Sequence, residues 1–530
     1  MRQVLIVGSG ASGVHAAQTL LEKGCRVAMV DVGIGMPPPV RPADDLNGLK
    51  ANLEDPADYF LGAQYQSLIL PDFGSEYYGF PPNKEYIFEQ PEQFRYRAKG
   101  FSPLVSFAAG GLAEAWTGGS YPFHDEELRL FPFGYKELGP YYGKVARRIG
   151  ITGVEDDMAR FFPLHDGLME PLDLDDHSAV LLSAYAARRD SLNRDLGCYL
   201  GRARLAALSR DFGERKRCDY TGRCLWGCPR GSIYTPSMTL ADCRRHPDFD
   251  YHHGLYAMHF RFTDGGRIRT LVARSTTDGS LHEFEAEALV LAAGTLSSAR
   301  IFLESIRQNS GESLKLTGLM DNRQVLMPFV NLRMLGRQFN PRSYQYHQLA
   351  FGLTGSDPME YVHGLVTTLK TALIHPVVQN MPLDLGGAVA MFRDVHAALG
   401  LVNINFHDFR REENYLALED GKLVIHYQPD PAEPDRVHRT SEKFRKILRK
   451  LGCVAPPGMT HLRPMGASVH YAGAIPMSAD RKPLTCSPHG QSHDFENLYF
   501  ADGTSFPALP AKNLTFTLMA NATRIAEEAF

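Results

Sequence analysis

The opening thirty residues change period twice. Val4 to Val7 (VLIV) is an unbroken apolar run of strand length, Val14 to Lys23 carries its apolar positions at helical spacing and stops at Gly24, and Arg26 to Asp31 supplies a second buried strand. Strand, helix, strand in that order predicts a βαβ unit feeding a parallel sheet. Further along, ALVLAAGTL reads as another fully buried strand, and the C-terminal run ENLYFADGTSFPALPAKNLTFTLMANATRIAEEAF as strand, proline-containing loop and terminal helix. From about 325 to 465 the apolar segments VLMPFVNLRML, GLVTTLKTALI and LVNINF alternate with polar positions, which predicts a sheet-based lobe. Asp430 to Asp435, with two prolines, starts an amphipathic helix through Arg436 to Lys450. Residues 35 to 95 are rich in Pro, Asp and Tyr and have no clear period, the pattern of an irregular excursion that can form a lid.

At 530 residues the chain exceeds the size at which one core keeps growing, so two lobes sharing an interface are expected, and ligand sites favour such interfaces. Fifty-six basic against 60 acidic residues leave no nucleic-acid footprint, and the one basic run, Lys443 to Lys450, reads as the solvated face of its helix. The longest apolar runs reach about half of what a membrane-spanning helix needs. Met1 and Arg2 lead directly into strand pattern without an apolar leader, so cytoplasmic residence is the default expectation, with export alongside a signal-bearing partner as the alternative.

Within the βαβ unit the turn is Gly8-Ser9-Gly10-Ala11-Ser12-Gly13. Gly8 makes the tight turn, Gly10 lets backbone approach a pyrophosphate, and Gly13 lets the helix pack on the sheet. The helix start then offers unpaired N–H groups to phosphate. Asp31, eighteen residues after Gly13, ends the second strand where a carboxylate accepts hydrogen bonds from an adenosine ribose. This motif predicts a dinucleotide fold and does not separate NAD from FAD.

The C-terminal run makes that separation. Asp502 in its Asp-Gly pair, Pro507 and Pro510 in the loop, and a helix opening near Asn513, Leu514 and Thr515 resemble the C-terminal signature of the glucose-methanol-choline flavoenzymes. Two more stretches match in order. Gly110-Gly111 and Trp116-Thr117-Gly118-Gly119 resemble the family's glycine-rich stretch along the flavin, and Ala292-Ala293-Gly294 its strand end returning to the nucleotide. A third match is partial, because Asn322 stands where the family usually has His.

The resemblance implies an FAD enzyme that takes a hydride from an alcohol carbon, on a sugar, glycoside or polyol, to flavin N5. It implies an α/β fold in which an FAD-binding Rossmann-like domain (1–45, 96–135, 200–325 and 466–530) is interleaved with an α+β substrate domain on an antiparallel sheet (46–95, 136–199 and 326–465). Such chemistry needs a base of near-neutral pKa, which histidine suits. His470 occupies the position of the family's active-site histidine, and Asn513 that of its partner; an amide cannot act as base and would orient the substrate oxygen.

Eight cysteines are too few for a disulfide scaffold, yet Cys218, Cys224 and Cys228 fall within eleven residues, with Pro229 directly after the last. Such spacing lets thiolates converge on an iron-sulfur cluster, while zinc would need a further ligand such as His246 or Cys198. The arrangement is similar to that of bacterial FAD-dependent glucose dehydrogenases with a [3Fe-4S] cluster, which implies a dehydrogenase passing electrons to a cytochrome-type or small-subunit partner. An oxygen-using oxidase, a structural cysteine loop and a non-catalytic flavin-binding subunit are the competing readings. Trp226, between two of the cysteines, reads as shielding for a hydrophobic loop.

Overall fold

The computed structural model describes residues 3–35, 44–68, 80–355, 357–369, 374–379 and 381–530. Segments 36–43 and 69–79 of the expected lid lie outside the described residues.

The five near-continuous apolar strands form one parallel sheet in the order Leu498–Phe500, Ala288–Leu291, Gln3–Val7, Arg26–Val30, Phe249–His252. Val4 stands opposite Ala288 on one side and Val27 on the other, so the first strand is central and buried on both faces. Helices Ala11–Glu22, Thr295–Ser310 and Thr515–Ala529 follow strands of this sheet and begin at the strands' C-terminal edge.

The alternating segments form a second, antiparallel sheet. Its order is Cys453–Val454, Gln324–Asn331, Leu399–Asn405, Val362–Thr368, Leu349–Leu353, Cys198–Arg202. Alternation has its expected consequence. Val325, Met327, Phe329, Val402 and Ile404 point to one face and pack with Phe444, Ile447 and Leu448 of the helix Glu433–Lys450. Burying each such side chain contributes about 1.5–3 kcal/mol. The opposite face carries Gln324, Asn405 and His363, in register across three strands. A parallel Rossmann-like sheet with a second antiparallel sheet is the fold the sequence pattern predicted.

The excursion after the second strand is more ordered than its weak periodicity suggested. Asp45 and Asp55 cap two short helices, Leu46–Asn52 and Pro56–Leu61, and capping acts through single residues rather than through period. Tyr59 and Phe60 of the second helix pack on Trp226 with ring centroids 5.4 and 4.9 Å away, so the excursion docks on the cysteine loop.

Candidate active site

One cleft runs along the C-terminal edge of the parallel sheet. Gly8, Gly10, Asp31, Gly111, Ala293, Asp502, Leu514 and Thr515 line it together, although their sequence positions span most of the chain. A Cβ on Gly10 would meet nothing within 4 Å, so this backbone is open to the cleft. A Cβ on Gly13 would lie 1.9 Å from the Gly8 carbonyl oxygen, which makes Gly13 a packing residue behind the wall. Gly110 donates its N–H to Ser9 Oγ at 3.0 Å, joining the glycine-rich stretch to the phosphate turn. Thr117 and Gly118 fall outside the lining, because their carbonyls accept from Tyr344 (2.8 Å) and Ala206 (2.7 Å) and carry the loop toward the cysteines.

Three helices open on this cleft, at Ala11, Thr295 and Thr515. None has a side-chain cap or an acidic residue in its first turn. Their N–H groups and dipoles create an anion-attracting surface, which at the Thr295 helix is partly taken up by the Asp502 carboxylate on its N-cap Gly294. Asp31 is the acid of the wall; Ser9 Oγ–H and Tyr251 O–H (3.1 Å) donate to it, and burial pushes its pKa up to about 6. Asp502, also in the lining, fastens the helix start at Gly294 to the loop at Thr504. It accepts from Gly294 N–H (2.8 Å), Ser298 O–H (2.6 Å) and Thr504 N–H (3.0 Å), with burial raising its pKa. The residues fit an anionic dinucleotide.

His470 sits one residue from that lining, between Val469 and Tyr471. Its position follows from strand register: Met320 and Asp321 pair with Ala472 and Tyr471, which brings Asn322 beside His470. Nδ1 of the ring lies 3.0 Å from Asn322 Oδ1, and Nε2 lies 3.2 Å from Asn513 Nδ2. The Asn513 carbonyl oxygen is buried and has no hydrogen-bond partner. Burial, reinforced by the Arg463 charge, lowers the His470 pKa to about 4, so the ring is neutral at physiological pH. Asp321 holds the loop itself, accepting from Gly466 N–H (2.5 Å) and Ser468 O–H, while Ser468 Oγ accepts from His470 N–H (2.9 Å). The fold therefore brings both expected catalytic side chains together.

Four further contributors are not legible from residue type. Asn322 departs from the family's usual His, and the signal that finds it is strand register rather than residue type. Asp321 and Ser468 are ordinary polar residues in sequence. Lys512 is also hidden there: it directly precedes Asn513, has no solvent exposure, and donates to Glu127, Pro122 O (2.9 Å) and Phe161 O.

The cysteine segment wraps against the core around Tyr344 and Tyr361. Cys218 donates its N–H to Leu208 O (2.8 Å), and Cys224 Sγ accepts from Gln345 N–H (3.3 Å). All three are free thiols. Burial pushes Cys218 up to about 12 and Cys224 well above its usual range. Among the described residues no three His, Cys, Asp or Glu side chains converge as a single ion would require. Cys198 packs in the core of the antiparallel sheet, and His246 lies against Asp248.

Comparison with known proteins matches a family model for GMC oxidoreductase over residues 412–522, a span that contains His470, Asp502 and Asn513. Paromamine 6'-oxidase of Streptomyces fradiae is 24% identical over 545 residues, covering 99% of this chain and 90% of the relative. The 2-methyl-1,2-propanediol dehydrogenase of Mycolicibacterium austroafricanum is 22% identical over 579 residues, covering 99% and 94%. Pyridoxine 4-oxidase from Mesorbium loti has the same fold, with a TM-score of 0.60 at 15% identity over 100% of this chain and 99% of that one.

Proposed function

The chain belongs to the glucose-methanol-choline oxidoreductases, and from that premise we propose that it oxidises an alcohol group of a sugar-like small molecule with FAD, using His470 as base. The carrying observation is the His470 and Asn513 pair beside a cleft into which three uncapped helices open. Gly8, Gly10, Gly111, Ala293, Leu514 and Thr515 would hold the dinucleotide by backbone, with Asp31 on its ribose. FAD, when bound, supplies the acceptor for a hydride from the alcohol carbon.

The protein's own residues manage the other hydrogen. A hydroxyl oxygen that displaces the contact between Asn513 Nδ2 and His470 Nε2 accepts from the first and donates to the second. Those nitrogens lie 3.2 Å apart, at direct hydrogen-bond distance, so the oxygen takes over the bond that the amide makes to the ring. His470 takes the proton at Nε2 while Asn513 Nδ2–H stays on the oxygen as it gains charge. Burial keeps most water from the His470 ring.

A sugar-like substrate is supported by the match to paromamine 6'-oxidase. For the electron acceptor, we keep the dehydrogenase reading, in which Cys218, Cys224 and Cys228 hold an iron-sulfur cluster and pass electrons to a partner protein. What supports it is three free thiols within eleven residues, followed directly by Pro229. The oxidase reading is favoured by the name of that same relative. Iron and acid-labile sulfide on anaerobically purified protein, with peroxide formation measured against dye reduction, separates the two. Metal-free protein making stoichiometric peroxide would leave only the oxidase.

The central reading is tested by adding a panel of sugars and polyols to the flavin-loaded protein. Bleaching of the flavin is expected in the wild type and should slow by about 10²- to 10⁴-fold in His470→Ala, the range general-base catalysis contributes. Undiminished bleaching in His470→Ala would remove His470 from the mechanism.

A further inference from the structure

Asn322 is almost fully buried, with 1% of its surface exposed, and its amide orientation is dictated by its neighbours. Nδ2 donates to Phe406 O at 2.8 Å and to Pro510 O at 3.0 Å. Both partners are carbonyls and can only accept, so the amide nitrogen must face them. The amide oxygen is thereby turned to His470 Nδ1, 3.0 Å away, and an amide oxygen can only accept. Nδ1 must then carry the hydrogen. A neutral imidazole carries one N–H, which leaves Nε2 with a lone pair that accepts from Asn513 Nδ2–H at 3.2 Å.

We propose that Asn322 is a positioning residue that locks His470 in the Nδ1–H tautomer and aims its Nε2 lone pair at the substrate hydroxyl. The inference rests on reading His470 as the base and explains how it stays competent. With two carbonyls fastening it, the amide cannot rotate without losing both bonds. Phe406 adjoins Asn405 of the antiparallel sheet, and Pro510 lies in the loop before Asn513, so the lock draws on both lobes. Its partner is a neutral amide rather than a carboxylate. Once Nε2 is protonated, the Nδ1–H bond therefore persists without a counter-ion to trap the charge, and the ring can release its proton again. An asparagine where the family usually has histidine also makes a lock that does not titrate.

The test is nitrogen-15 NMR of protein labelled in histidine, at neutral pH and without substrate, with His470→Gln used to assign the ring. A protonated Nδ1 and an unprotonated Nε2 are expected for His470. An Nε2–H ring, or averaging between the two tautomers, would overturn the lock. Asn322→Leu, close in volume, should lose the single-tautomer signature and slow flavin reduction by substrate about 10²-fold or more, within the general-base range, with KM little changed. A leucine variant that folds, binds flavin and reduces at the wild-type rate also overturns it. If that variant does not fold, the wild-type spectrum decides. Should no alcohol reduce the flavin while the spectrum shows Nδ1–H, the proposed activity fails and the lock stands.

Discussion

The amide nitrogen of Asn513 lies 3.2 Å from Nε2 of His470, in a pocket where the same histidine is stripped of water and repelled by the Arg463 charge. Both causes oppose a positive ring, and they hold its pKa near 4 instead of the ordinary 6.5. Only the neutral ring can accept the hydroxyl proton. The pH profile of kcat/KM should thus stay level from neutrality to about pH 5 and fall through about pH 4. A limb near 6.5 would mean the ring is hydrated in solution. The same shift acts on stability: the unfolded chain takes up a proton below about 6.5 and the folded ring does not, so this histidine's effect is absent above pH 6.5 and destabilises as pH falls toward 4.

The two glycines of the phosphate turn should fail differently. Gly10 has φ −64°, ordinary for any residue, and open space where a Cβ would go. Gly10→Ala is expected to leave the melting temperature of the flavin-free protein unchanged and weaken flavin binding by at least about tenfold, or 1.4 kcal/mol. In Gly13→Ala the new methyl meets the Gly8 carbonyl and must push the helix off the sheet, costing about 1–3 kcal/mol or more in stability. Thermal melts with and without FAD separate the cases, and equal loss of stability in both variants would refute the assignment.

Lys512 and Glu127 are paired with 0% and 1% of their side-chain surfaces exposed. Lys512→Met strands the Glu127 carboxylate in the interior, at a cost of about 3–5 kcal/mol. The double variant Lys512→Met with Glu127→Gln should recover part of that loss, because no charge is left unpaired. Chemical denaturation of the three proteins gives the coupling. Additive effects would show that the pair does not hold the loop before Asn513.

The sequence carried what lies in short windows. Period and glycine mechanics located the phosphate turn and its flanking strands, and the matched segments pointed to His470 and Asn513. Asn322 was illegible because its part depends on Asp321 pairing with Tyr471, about 150 residues away, and on two carbonyls from distant segments. The same holds for Lys512, whose partner Glu127 lies 385 positions earlier. Thr117 and Gly118 show the reverse: their motif suggested the cleft, and the tertiary path turned them to Tyr344 and Ala206.

By itself, then, the chain's residue order specified local backbone shape and the alternation that gives a strand its buried face, since both are governed by neighbours within a few residues. Which ring nitrogen keeps its proton, how far a pKa moves and which charge has a partner were decided only when remote segments closed around those groups. Such properties depend on desolvation and hydrogen bonding in three dimensions, and no linear spacing encodes them.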